Sequence, residues 1–246
     1  MMAIKDSYSE IFSDINNVLV VLAHPDDMEV NCGGLMARLC ADGKKVRVVI
    51  TTNGGKGMKD KEGLTEKGFG ISRVDEQKRA GEVLGVPASE NFNLNLPDGE
   101  LFHSLDNIEK IVFHIRQFKP DIVITHNPED MFIHFFERSV WVNHNDHRST
   151  GLVVADAVYP YSRDRGFFPK HFKDGLSPHI VNKLLIADSY TKGAVKYFAV
   201  DDYTEQKKKA LQQHVSAFSP DDADGYVEEN KFDNGYFEPL AYYKVY

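Results

Sequence analysis

Residues 18–29 read Val-Leu-Val-Val-Leu-Ala-His-Pro-Asp-Asp-Met-Glu, an apolar run that stops at a histidine and two adjacent carboxylates. Imidazole beside carboxylate is the donor set of a catalytic zinc, with one acid left over to act as a base. His24 and Asp27 could supply two donors. A single aspartate after a strand ordinarily caps the next helix. One cap does not account for four ionisable groups, His24, Asp26, Asp27 and Glu29, crowded at one strand end. A third donor is best sought in His144-Asn145-Asp146-His147, two histidines flanking an aspartate at a predicted helix start. Asp146 could also fix a histidine tautomer by hydrogen bonding.

These residues meet only if the right elements deliver them. Residues 18–23 lack polar alternation and are rich in β-branched side chains, as in a strand buried on both faces of a parallel sheet. Ligands of open α/β sheets bind outside the carboxyl ends of such strands, which is where His24 falls. Further strands are expected at 46–52, 91–94, 121–125, 183–187 and 196–200, with an aromatic edge strand at 236–246. Helices are expected at 5–16, 33–41, 72–84 (Ser72 as N-cap), 105–118, 147–158 and 204–218. The alternation predicts a single α/β domain over residues 1–246, with a Rossmann-like, doubly wound, mainly parallel sheet and helices on both faces. Residues 53–70 and 127–145 are longer than ordinary connections and leave the same rim. Such loops form lids or substrate walls, although plain surface excursions fit as well.

Composition narrows the partners. The 246 residues are 42% hydrophobic and 27% charged, ordinary for a globular chain, and the net charge of −8 argues against nucleic acid or an anionic membrane. No apolar stretch reaches the roughly 18 residues of a membrane span, and the start lacks a signal-peptide core. Cys32 and Cys40 lie on one predicted helix, which makes no disulfide framework and suits a reducing cytoplasm. Gly54-Gly55-Lys56 lacks the remaining residues of a phosphate loop, and no Gly-x-Ser-x-Gly elbow is present.

Ala23-His24-Pro25-Asp26-Asp27-Met28-Glu29, followed by Gly33-Gly34, resembles the signature of the PIG-L/LmbE-like zinc N-deacetylases. His144 to His147 is similar to that family's His-Pro-Asp-His motif. Arg73-Val-Asp-Glu76, Leu84-Gly85-Val86, Leu96-Pro97-Asp98-Gly99 and Lys209-Ala210-Leu211 with His214 and Ser216 resemble further motifs in family order. The resemblance implies zinc, or another divalent metal such as iron(II), held by His24, Asp27 and His147. It implies Asp26 as the general base, and His144, oriented by Asp146, as the group that stabilises the tetrahedral intermediate or protonates the departing amine. Arg73 and Asp98 are implied as contacts to a small amino-sugar substrate, and a homotrimer or homohexamer as the assembly. The spacing after the double aspartate is closest to the bacillithiol-biosynthesis branch, whose substrate is an N-acetylglucosaminyl-malate. Asn31, Asn145 and Val142 depart from the family pattern, and residues 131–142 look like an aromatic insertion.

The expected activity is therefore removal of an N-acetyl group from an N-acetylglucosamine-type sugar or conjugate. Two rivals stand beside it: hydrolysis of another bond, such as a phosphoester, and a non-catalytic metal- or sugar-binding role.

Overall fold

The computed structural model describes residues 4–58 and 62–245. A short helix, α1 (Tyr8–Phe12), precedes β1 (Asn17–Leu22). Side chains of β1 alternate between two cores. Val18, Val20 and Leu22 join Phe12, Leu35 and Met36, whereas Leu19 and Val21 join Ile111, Ile115 and Val154. A strand apolar at every position requires a helical layer on each face. α2 (Asp27–Ala41) and α3 (Glu66–Val83) cover the first; α4 (Leu105–Phe118) and α5 (Asn145–Asp156) cover the second.

The remaining strands of the main sheet are β2 (Lys45–Thr52), β3 (Asn91–Leu96), β4 (Ile122–Thr125), β7 (Lys183–Ile186), β8 (Ala194–Ala199) and β10 (Gly235–Lys244). They lie in the order β3-β2-β1-β4-β7-β10-β8, with the two-residue β9 (Lys231–Phe232) against β10. β3 to β7 of that order run parallel, while β10 is antiparallel to both β7 and β8. A separate hairpin, β5 (Phe132–Phe135) and β6 (Ser139–Val142), follows β4. The short α6 (Lys170–Lys173), α7 (Thr204–Leu211) and α8 (Pro220–Glu228) complete the chain. The architecture is the mainly parallel α/β sheet with helices on both faces that the alternation predicts.

Several boundaries differ, each for a physical reason. The aromatic tail is not an edge strand: β10 inserts between β7 and β8. Pro239 is accommodated because β10 pairs with β7 only from Ala241 onward, so at Pro239 a single neighbour, β8, needs the backbone. Tyr246, the last residue of that expected strand, lies outside the described residues. α3 starts at Glu66 rather than after Ser72, because the Thr65 hydroxyl accepts the Gly68 amide at 3.1 Å and burial of Phe69 outweighs the poor helix propensity of the flanking glycines. The expected 53–70 loop is shortened accordingly, and its residues 59–61 lie outside the described residues. α7 stops at Leu211 instead of reaching residue 218, freeing His214 and Ser216 to turn toward α2 and α3. The helix expected over 33–41 begins six residues earlier, at Asp27, and α1 is shorter than the expected 5–16.

Candidate active site

The carboxyl end of β1 is held rigidly. Ala23 O accepts both the Thr52 amide and the Thr52 hydroxyl, each at 2.9 Å, so the chain leaves the sheet at His24 with little freedom. Asp26 follows in a left-handed conformation (φ 113°, ψ −25°), which is strained for a residue other than glycine. Its amide donates to Gln77 Oε1 at 3.1 Å, and its carboxylate receives Arg73 Nη2 at 2.5 Å. Arg73 also donates to Pro25 O and, at 3.2 Å, to Gly54 O. Gly54 is required there: its φ is +63°, and a Cβ would lie 2.6 Å from the Arg73 guanidinium. Asp26 occupies the N-cap position of α2 but makes no side-chain bond to that helix. Capping does not explain it.

α2 itself is two pieces. Cys32 has non-helical angles (φ −151°, ψ 24°), and the second piece begins at a Gly33-Gly34 pair. The Gly34 and Leu35 amides donate to Glu238 of β10 at 2.9 and 2.7 Å, a cap delivered from across the sheet. Lys207 of α7 donates to Glu238 at 2.7 Å, to Asn230 Oδ1 at 2.6 Å and to Val30 O at 2.9 Å. A Cβ on Gly34 would sit 2.8 Å from Val200, so the close approach of α2 to this brace demands glycine. The first piece of α2, carrying Asp27 and Glu29, is thereby clamped at both ends.

His24, Asp27 and His147 converge. His24 Nδ1 lies 3.2 Å from His147 Nε2 and 3.4 Å from Asp27 Oδ2, and His147 Nε2 lies 3.3 Å from Asp27 Oδ1. Neighbouring donors around a tetrahedral ion with bonds of about 2.0–2.1 Å are about 3.3 Å apart. Donor types and spacing thus fit a small divalent cation, and this His/Asp cluster could hold one. Burial alone would raise the pKa of Asp27, yet His147 and His126 outweigh it and hold it well below the usual carboxylate range. Burial lowers the His147 pKa, but Asp27 and Asp188 more than reverse that, to about 10. His24 moves the same way, well above its usual value, against burial and through Asp146, Asp27 and Asp98. The site is built to hold positive charge.

The far side of His24 faces two more acids, with Nε2 3.2 Å from Asp146 Oδ2 and 3.3 Å from Asp98 Oδ1. Asp146 is fully buried and accepts the Gly99 and Leu101 amides at 2.7 and 3.1 Å. Asp98 accepts the Lys56 amide at 2.9 Å, and although burial opposes it, His24 brings its pKa down to about 2. His144, the N-cap residue of α5, stands edge-on to His24 with ring centroids 4.7 Å apart. Its Nδ1 accepts the Asp146 amide at 3.1 Å. Asp146 thus touches both histidines, with its side chain facing His24 and its backbone amide donating to His144.

Of two further buried groups, His126 is one of three histidines, with His134 and His214, that the sequence places within reach of the rim without favouring it, and Asp188 is not singled out from the sequence. His126, just past β4, is fully buried and stacks on His147 with centroids 3.8 Å apart. Its Nδ1 lies 2.5 Å from Asp188 Oδ2, and its Nε2 3.0 Å from Asp27 Oδ2. Asp188, just past β7, also lies 3.5 Å from His147 Nδ1. Both carried a legible signal, an apolar parallel strand ending in an ionisable residue on the rim of His24. Beneath Asp26, His214 Nε2 lies 3.2 Å from Glu29 Oε2 with both side chains fully buried, and Ser216 donates to Glu76 through its amide (3.1 Å) and hydroxyl (2.5 Å).

A cavity of about 410 Å³ opens over Asp26, Asp27 and His147. The hairpin forms one wall through Phe135 and Trp141, joined by Tyr190; Phe218 and Tyr226 form the other. Aromatic residues of the 131–142 segment therefore divide between this wall and exposed positions such as Phe132.

Residues 19–158, more than half the chain, match the PIG-L family, described as GlcNAc-PI de-N-acetylase. The chain is 29% identical over 216 residues to a diacetylchitobiose deacetylase of Thermococcus kodakarensis, covering 87% of this chain and 74% of the relative. It is 30% identical over 141 residues to a 1D-myo-inositol 2-acetamido-2-deoxy-alpha-D-glucopyranoside deacetylase of Corynebacterium diphtheriae, a match that spans 47% of this chain and 46% of that one. In structure it resembles the N,N'-diacetylchitobiose deacetylase of Pyrococcus horikoshii, with a TM-score of 0.82, 25% identity and coverage of 95% of this chain and 85% of that chain. The chain belongs to the PIG-L family.

Proposed function

We propose that this protein removes the N-acetyl group from an N-acetylglucosamine-type amino sugar or conjugate, releasing acetate and a free amine, with zinc held by His24, Asp27 and His147. The observation that carries the reading is the 3.2–3.4 Å spacing of those three donors with Asp26 anchored alongside. The diacetylchitobiose deacetylases among its relatives support the substrate class. Iron(II) or another divalent ion suits the same donors. When bound, the cation supplies Lewis acidity, polarising a carbonyl and acidifying water.

The chain's own residues supply the rest. Asp26 accepts a proton from the attacking water, and that proton is the one the departing amine needs. Burial pushes the Asp26 pKa above its ordinary value, against the pull of Arg73, toward the range of an effective general base. Arg73, expected from the sequence to touch substrate, is buried and bonded to Asp26, Pro25 O and Gly54 O; its part is to aim the base. Burial, then His24, lowers the His144 pKa, and because its Nδ1 accepts the Asp146 amide, the proton of its neutral ring sits on Nε2. That N–H donates to the acetamide oxygen as negative charge develops, a contribution of about 100-fold in rate for one such donor. Asp146 and Asp98 act through His24, fixing its ring by facing Nε2.

The test is acetate and amine release from N-acetylglucosamine, its oligomers and its malate conjugate, using zinc-loaded and chelator-treated protein. Metal-dependent release from at least one is expected. Release that ignores the chelator, or none from any substrate with zinc bound, refutes the reading.

A further inference from the structure

The outer half of the cavity above the His/Asp cluster has a composition of its own. Phe135 and Tyr190 pack edge-to-face at 4.7 Å, with Trp141 6.3 Å from Tyr190, and form one side. Phe218 and Tyr226, 5.1 Å apart, form the other. Glu229, at the end of α8, joins the same lining and is exposed to solvent. Among the described residues its carboxylate makes no ion pair. Glu229 shares the cavity lining with both tyrosines; burial first, then Asp188 and Glu229, push the Tyr190 hydroxyl up, and burial, then Asp26 and Glu229, do so for Tyr226.

Among the described residues no lysine or arginine lines this cavity, although cations are built into its walls. Arg138, in the hairpin turn, donates to Glu229 O at 2.8 Å and to Lys231 O at 3.1 Å, so it latches hairpin to α8 through the backbone. Lys207 is committed to Glu238 and Asn230, and Arg73 to Asp26. An aromatic enclosure with one unpaired carboxylate recognises an ammonium group by cation–π attraction and a charge-assisted hydrogen bond. For carboxylates and phosphates the same lining offers, among the described residues, neutral donors such as Ser139 but no cation, and its carboxylates repel them.

Resting on the deacetylase reading above, we propose that this outer half binds the protonated amine of a second sugar unit. The favoured substrate is a cationic amino-sugar disaccharide: one unit presents its acetamide to the cluster, and the other places an already free amine against Glu229. Neutral disaccharides are accepted less well, and dianionic conjugates such as N-acetylglucosaminyl-malate are disfavoured. The bacillithiol-type substrate suggested by motif spacing conflicts with this charge pattern.

The test is kcat/KM for acetate release by the metal-loaded full chain, at pH 6 and low salt, on three substrates. These are N-acetylglucosaminyl-glucosamine, N,N'-diacetylchitobiose and N-acetylglucosaminyl-malate. We expect the amine-bearing disaccharide to exceed the neutral one by about tenfold and the malate conjugate by about a hundredfold. Glu229→Gln should shrink the amine preference to about twofold, and raised salt should shrink it in the unaltered protein. A neutral or malate-bearing substrate that equals or exceeds the amine-bearing one overturns the inference, as does a preference that survives both Glu229→Gln and high salt. Turnover of the neutral disaccharide without amine preference overturns this inference alone; no turnover of any of the three overturns the deacetylase reading with it.

Discussion

Lys207→Met isolates the ion pair that braces α2. The side chains of Lys207 and Glu238 are 1% and 0% exposed and 2.7 Å apart. Methionine keeps the aliphatic stem that packs near Gly33 and removes only the charge and its three hydrogen bonds, to Glu238, Asn230 and Val30. Breaking one side of a buried pair costs about 3–5 kcal/mol, because the remaining ion has lost its partner. Glu238 keeps the Gly34 and Leu35 amides, which argues for the lower end, about 3 kcal/mol. For a chain of this size that lowers Tm by roughly 6–12 °C. Urea titration of the metal-free protein measures it directly, with an unchanged slope marking an intact fold. Adding Glu238→Gln removes the stranded charge while leaving an acceptor for one amide, so the double variant should recover about 2 kcal/mol. A Lys207→Met loss below about 1 kcal/mol, or a double variant as unstable as the two single losses summed, refutes the reasoning.

Asp26→Asn should still bind one zinc per chain and lose about 10²–10⁴-fold in kcat; retained turnover would reassign the base. Arg73→Met should lower kcat by about 100-fold with KM little changed, since it misdirects Asp26 without touching substrate, and a change confined to KM would return Arg73 to substrate binding. His114 is buried against Phe92, with an Nδ1 that has no hydrogen-bond partner among the described residues. Burial, then Arg47, lowers its pKa from 6.5 to about 4. The unfolded chain takes up the proton first, so the stability contributed by neutral His114 is full above about pH 6.5 and is lost as pH falls through about 4. The loss is about 3 kcal/mol. His114→Phe should flatten the stability profile over that window; denaturant titrations at pH 7 and pH 4 check it, and an unchanged pH dependence counts against the assignment.

The chemistry was legible where local pattern and rim geometry coincide. An apolar strand ending in His24, Asp26 and Asp27 fixes both a fold class and a place in it, and the His144–Asp146–His147 cluster is brought to the same rim. His126 and Asp188 follow the same rule at the ends of β4 and β7, but in a chain with ten histidines one histidine past a strand carries little weight alone. Arg73 was visible as a helix arginine, not as the partner of Asp26, because the contact depends on the left-handed turn at Asp26 and on Gly54 across the rim. Lys207 looked like one more solvated residue of a Lys- and Gln-rich helix, since nothing local reports that Glu238 of β10 waits beneath it. The place of β10 inside the sheet was illegible for a related reason: alternation of side chains marks a strand but does not name its neighbours.

The hairpin that walls the cavity hangs from a narrow neck. Asn143, fully buried, donates from its side chain to Asn127 O and Asp130 O, both at 3.0 Å, and from its amide to Met131 O at 2.9 Å. The two ends of the excursion are thus tied together at its root, and among the described residues its strands join no strand of the main sheet. The hairpin can therefore change length or sequence between its root asparagines without disturbing a strand pairing of the main sheet, whereas the cavity wall made by Tyr190, Phe218, Tyr226 and Glu229 stays with the rest of the fold. Exchange of this segment by design would alter one wall of the cavity and, through loss of Arg138, its hold on α8.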